Sequence, residues 1–127
     1  MSVLVPYEYA VLRAVPRVER GEFVNVGIVL YCQKLDFLGC SAHVDEARIL
    51  ALDPSADVEG INALLGAVSC VCTGGPESGP AGADAQGRRF RWLIAPRSTV
   101  VQPGPVHTGL TADPENDLAR LMKGLVG

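Results

Sequence analysis

The sequence predicts an α+β domain: a mainly antiparallel sheet with two main helices packed on one side, in the order βββαββα. Three observations lead there. Apolar residues alternate along the first third of the chain in runs separated by short polar breaks, the pattern of hairpins rather than of β-α-β units. Two Asp-Pro pairs, Asp53-Pro54 and Asp113-Pro114, each precede apolar residues spaced at three- and four-residue steps. With 127 residues, 48% hydrophobic and 20% charged, the chain has the size and composition of one domain, 1–127, around a single core.

Residues 1–5 read as a short tail. Tyr7 to Val15 alternates as a strand, with Tyr7, Tyr9, Val11 and Val15 on one face and Arg13 intruding, until Pro16 ends it. The charged turn around Gly21 leads into Phe23 to Cys32, the strongest strand. Val24, Val26, Ile28, Leu30 and Cys32 share one face, and Phe23, Asn25, Gly27, Val29 and Tyr31 the other. Both faces are mostly apolar, so this strand is expected to be central and covered on both sides. Phe37 to Val44 returns as a third strand, and the register of Cys32 against Cys40 depends on a loop length that the sequence leaves open.

Asp45 to Leu52 reads as a short helix or turn, and Asp53-Pro54 as the cap of a longer helix. That helix has Val58, Ile61, Leu65, Val68 and Cys72 in its stripe, widened by Leu64 and Val71 and stopped at Gly74. Cys72 falls on the stripe and Cys70 off it. The segment 74–87 has no large apolar residue and reads as a flexible Gly/Pro-rich loop. Phe90, Trp92 and Ile94 alternate with Arg89, Arg91 and Leu93, which predicts a strand with Trp92 in the core and both arginines outward. Ser98 to Gln102 is compatible with another strand, while Pro103-Gly104-Pro105 excludes a long central one. After Asp113-Pro114, Leu118, Leu121, Met122 and Leu125 form the buried stripe of the last helix, with Glu115 and Asp117 in its first turn and Lys123 in its last.

Charge narrows the function classes. Eleven basic and fourteen acidic residues give a net −3, which argues against a general nucleic-acid or anionic-membrane binder. Four of the basic residues, Arg88, Arg89, Arg91 and Arg97, fall within ten positions, so a local positive patch is expected. The start lacks the pattern of a signal peptide, and no run approaches the apolar length of a membrane span, which points to a cytoplasmic protein. Cys32, Cys40, Cys70 and Cys72 lack zinc-ligand spacing and read as reduced thiols, with neither metal nor cofactor expected.

No catalytic motif is present. His107, beside Thr108 and near Arg97 and Ser98 in sequence, has the chemistry of a general base or phosphate ligand, or else orders its proline-rich loop. Arg89, Arg91 and Arg97, with Ser98, offer either a docking site for an acidic protein or an anion site. Asn25 inside a covered strand needs hydrogen-bond partners and reads as structural, with Gly27 making room nearby. Arg13 is expected to stack on Tyr7 or Tyr9 or to pair with a carboxylate.

The segments YEYAVLRAVPRVERGEFVNVGIVLYC and FRWLIAPRSTVVQPGPVHTG, with ALDPSADVE between them, resemble a bacterial family known as domain of unknown function 3037. The resemblance implies no activity and no catalytic residues. Members are often encoded beside a kinase resembling HipA, the serine/threonine kinase of persister toxin modules, which implies a partner or modulator of such a kinase. The leading expectation is therefore a non-enzymatic protein-binding domain. The alternatives are a small phosphate- or nucleotide-binding enzyme using Arg97, Ser98 and His107, and a module that self-associates through its strand edges.

Overall fold

The most apolar run of the chain becomes an inner strand. In the computed structural model, which describes residues 3–74 and 85–127, Val24–Cys32 (β2) lies between Val5–Ala14 (β1) and Phe37–Ala42 (β3). Val101–Thr111 (β4) pairs with the other side of β1, so the sheet order is β3-β2-β1-β4, antiparallel throughout. The helices among the described residues are Glu46–Leu52 (α1), Val58–Thr73 (α2), Gln86–Leu93 (α3) and Pro114–Leu125 (α4). The α+β class and the antiparallel sheet stand as read from the sequence. The order is βββαααβα.

The helices do not share one side. α1, α2 and α3 pack on the face carrying Ala10, Leu12, Ala14, Val26 and Val29, where Ile49, Ile61, Leu65, Phe90 and Leu93 complete the larger core. α4 packs on the opposite face, where Leu118 and Leu121 meet Tyr7, Ile28, Leu30 and Cys32. A strand apolar on both faces needs cover on both, and that requirement overrides a one-sided arrangement.

The alternation read along β2 also changes phase midway. Leu12 pairs with Gly27 and Arg13 with Asn25, so Val26 is an extra residue, a β-bulge. Before it, Val24 and Val26 face the α2 side; after it, Val29 does so, while Ile28, Leu30 and Cys32 turn to α4. Gly27 is required by proximity: a Cβ there would lie 2.8 Å from the Ser41 carbonyl oxygen. The Cys32–Cys40 question resolves with it. Cys32 pairs with Phe37 and Cys40 with Val29 across a four-residue loop, and the two thiols sit in different cores.

Three local expectations are corrected. Asp53 does not cap α2. Its carboxylate accepts from the Ser55 backbone N–H at 3.0 Å and the Ser55 hydroxyl at 2.8 Å, and Asp57 caps the helix by accepting from Gly60 N–H at 2.9 Å. Those two Ser55 hydrogen bonds, with Arg17 at 3.5 Å, hold the Asp53 carboxyl below the usual carboxylate range. Asp113 does cap α4, with Pro114 at the first helical position.

Second, 86–93 is a helix, not a strand. Phe90 and Leu93, three residues apart, are buried on one side of it, and Trp92 is left 49% exposed rather than in the core. Gln86 and Gly87, expected in the 74–87 loop, belong to α3 instead; residues 75–84 of that expected loop lie outside the described residues. Third, the strand expected over Ser98–Gln102 runs instead from Val101 to Thr111 through Pro103 and Pro105, though at an edge of the sheet and not its centre, as those prolines require. A second bulge accommodates them: Leu12 pairs with Pro103 and Ala10 with Val106, leaving three steps on β4 against two on β1.

Candidate docking cleft

Helical cover on the larger core is uneven. α2 lies mainly against β3, and α3 touches β2 and β3. β4 projects beyond them, and a cleft opens between its start and the two helices. Leu64, Ala67, Val68 and Val71, at helical spacing, form the α2 wall; Trp92 and Leu93 form the α3 wall; Leu12, Val101 and Pro103 form the floor. The hollow measures about 280 Å³ and is overwhelmingly apolar. Leu64 is 40% exposed beside it, opposite half-exposed Trp92. The apolar strip continues along β4, because Val106 and Leu110 pair with Ala10 and Pro6 and so point to the same side as Pro103. They are 39% and 62% exposed.

Among the described residues Arg97 is the one charged residue lining the cleft. Its guanidinium carbon stands 4.7 Å from the Trp92 ring centroid, a cation–π stack. Nε donates to the Ala95 carbonyl at 3.3 Å, and Nη2 donates to the Trp92 carbonyl at the end of α3. The carbonyls at a helix C-terminus carry partial negative charge, so they anchor the cation well. Nη1 makes no hydrogen bond among the described residues.

The other expected site residues scatter. Arg89 is buried, not outward-facing: Nη1 donates to the Val71 carbonyl at 2.8 Å and the Cys72 carbonyl at 2.9 Å, closing the last turn of α2. Helical rather than strand phase put it inside. Arg91 is exposed and pairs with Glu8 at 3.0 Å. His107 packs against Tyr9 at a tilt, with ring centroids 5.3 Å apart, on the α4 side of the sheet. Ser98 is exposed and does not line the cleft. Arg97, Ser98 and His107 thus form no common site.

Asn25 donates from Nδ2 to the Leu125 carbonyl at 3.1 Å and fastens the end of α4. Arg13 stacks on neither tyrosine; its guanidinium carbon lies 4.2 Å from the Phe23 ring centroid, against Gly104. Arg13 Nε and Asn25 Oδ1, on paired residues, are both buried and without partners among the described residues.

Two other places hold concentrated chemistry. A broader depression of about 600 Å³ has Lys34, Arg88, Arg91 and Glu8 in its lining, so part of the expected positive patch gathers there and gains Lys34 from the β2–β3 turn. Cys40 on β3 and Cys72 on α2 are neighbouring thiols, whose interaction lowers the Cys40 thiol and, with burial, raises that of Cys72. Cys70 points away from this pair and lines the cleft as an exposed thiol. Among the described residues no three His, Cys, Asp or Glu side chains converge as a metal site, and no helix is long and apolar enough to cross a membrane.

Leu64, Trp92 and Pro103 were not read as site residues from the sequence. The available signal was Leu64, which sits at the rim of the α2 stripe rather than its centre.

Fold and cleft together define a small α+β domain with an antiparallel sheet covered on both faces and an apolar opening at one edge. The chain belongs to the family described as protein of unknown function DUF3037, whose model matches residues 9–126, nearly the whole length. No curated protein and no solved structure matches it.

Proposed function

We propose that this chain is a non-enzymatic protein-binding domain that docks its partner through the Trp92 cleft. A HipA-like serine/threonine kinase is the partner implied by the family resemblance. The observation that carries the reading is the contrast within α3. Phe90 is fully buried, while two residues on, Trp92 stands half in solvent over an apolar hollow, opposite exposed Leu64. Large aromatics flanking a small pocket, with an arginine beside them, are the usual anchors of protein interfaces. Of the residues with catalytic chemistry, His107 lies against Tyr9 on the other side of the sheet, and Ser98, next to Arg97 in the chain, does not line the cleft.

The test uses proteins that co-purify with the chain from its native host, and the purified kinase, each titrated against the parent, Leu64→Glu and Trp92→Ala. A partner of this cleft binds either variant at least about tenfold more weakly, while their melting curves stay close to that of the parent. Equal binding by all three overturns the reading.

A further inference from the structure

We infer that the cleft recognises a short segment of its partner carrying one bulky aliphatic or aromatic side chain next to a carboxylate, the apolar group filling the hollow and the acid meeting Arg97. This rests on the docking role proposed above and adds what the partner must present. Size is the first argument. At about 280 Å³ the hollow falls just below the range of small-molecule and cofactor sites, roughly 300–1,000 Å³, and suits an anchor side chain.

Charge is the second. Among the described residues no carboxylate lines the cleft, so Arg97 meets no acidic partner there, on a protein that is acidic as a whole. Two of its nitrogens are committed to the Ala95 and Trp92 carbonyls, and its plane rests on the indole. The guanidinium is therefore already immobilised, with Nη1 unspent among the described residues, and little further ordering is needed to bind an anion. A carboxylate makes a charge-assisted bond there, whereas a cation next to the anchor is repelled.

Two built-in reporters make the test direct. Trp92 is the single tryptophan of the chain, and Cys70, the exposed thiol, lines the same cleft. A displayed library of random peptides is selected on the full chain, and on Arg97→Glu and Arg97→Met variants whose melting confirms folding. Enriched sequences are then synthesised with glutamate, glutamine or lysine beside the apolar anchor. The parent should enrich for an aliphatic or aromatic residue adjacent to Asp or Glu. The glutamate peptide should shift Trp92 fluorescence, protect Cys70 from alkylation and bind about tenfold more tightly than the glutamine form. Arg97→Glu should invert the preference towards lysine, and Arg97→Met should abolish it.

Enrichment for apolar residues with no acidic neighbour, unchanged in Arg97→Glu, overturns the inference and leaves the docking role standing. Enrichment of nothing, while the natural partner still depends on Trp92, overturns it in favour of a folded docking surface. A Trp92 fluorescence change with protein concentration alone, in the absence of peptide, overturns it in favour of a second copy of the chain. If the natural partner is indifferent to Trp92 and Leu64, the docking role itself fails.

Discussion

The two edges of the sheet are finished in opposite ways. β3 is six residues long and lies under α2 on one face and α4 on the other. β4 is eleven residues long, carries two prolines and a bulge, and leaves apolar side chains open to solvent at Val106 and Leu110, with Pro103 half-buried beside them. An edge strand is a hazard unless blunted, and here the two solutions are burial and proline. Proline and bulge disrupt the backbone ladder of β4 while leaving its side-chain surface usable. The open edge is thus poorly suited to adding another strand and well suited to accepting side chains.

Substitutions on the two sides should differ in kind. The largest expected effect is Phe90→Ala. Phe90 is fully buried and stacks on Tyr31 at 5.4 Å between ring centroids, so its loss should cost about 3–5 kcal/mol in denaturant unfolding. Trp92→Ala, two residues away, should cost about 1 kcal/mol or less and act on binding instead. Comparable losses for both would erase the distinction between closed and open sides.

Next is Arg89→Met, which removes both charge-assisted bonds to the α2 carbonyls. A loss of about 2–3 kcal/mol is expected. Hydrogen exchange should show the final turn of α2 opening before its first turn.

Asp53 provides a pH signature for the closed side. Its carboxyl is depressed by Ser55 and then Arg17, so its ionised form contributes stability above the ordinary carboxylate range, and that contribution is lost as pH falls through its folded value. The melting-temperature gap between the parent and Asp53→Ala should therefore be widest near neutrality and close under acid conditions. A gap that grows towards low pH would reverse the assignment. The smallest effect belongs to the exposed Arg91–Glu8 pair, where Arg91→Ala should change stability by about 0.5 kcal/mol or less, within the scatter of surface ion pairs.

The sequence specified what depends on local chemistry and missed what depends on phase. Both strands of the first hairpin, the Asp113 cap and the contrast between buried Cys72 and exposed Cys70 follow from residue type and spacing. The two bulges were invisible, because an extra residue in a wholly apolar run such as Val24–Cys32 leaves its composition unchanged. In RRFRWLI the apolar residues fit both a two-residue and a three-residue rhythm. The strand reading put Trp92 inside and Arg89 outside, and the helix does the reverse. The cleft was unreadable for the same reason: it exists only because Trp92 is outside, and its floor comes from strands β1 and β4, about ninety positions apart in the chain.

Arg89 has a wider meaning for how the chain is wired. It stands in α3 yet bonds the end of α2, tying residues on either side of positions 75–84 without using the backbone between them. β4 likewise crosses back to pair along nearly all of β1. The polypeptide is thus topologically divisible: 3–74 carries three strands and two helices, and 85–127 supplies the missing edge strand, the guanidinium bolt and the helix that closes the opposite face. Expressed as two separate polypeptides, these halves are expected to find each other and rebuild the fold, and the Trp92 cleft would then be assembled by complementation, α2 lending one wall and the second fragment the other.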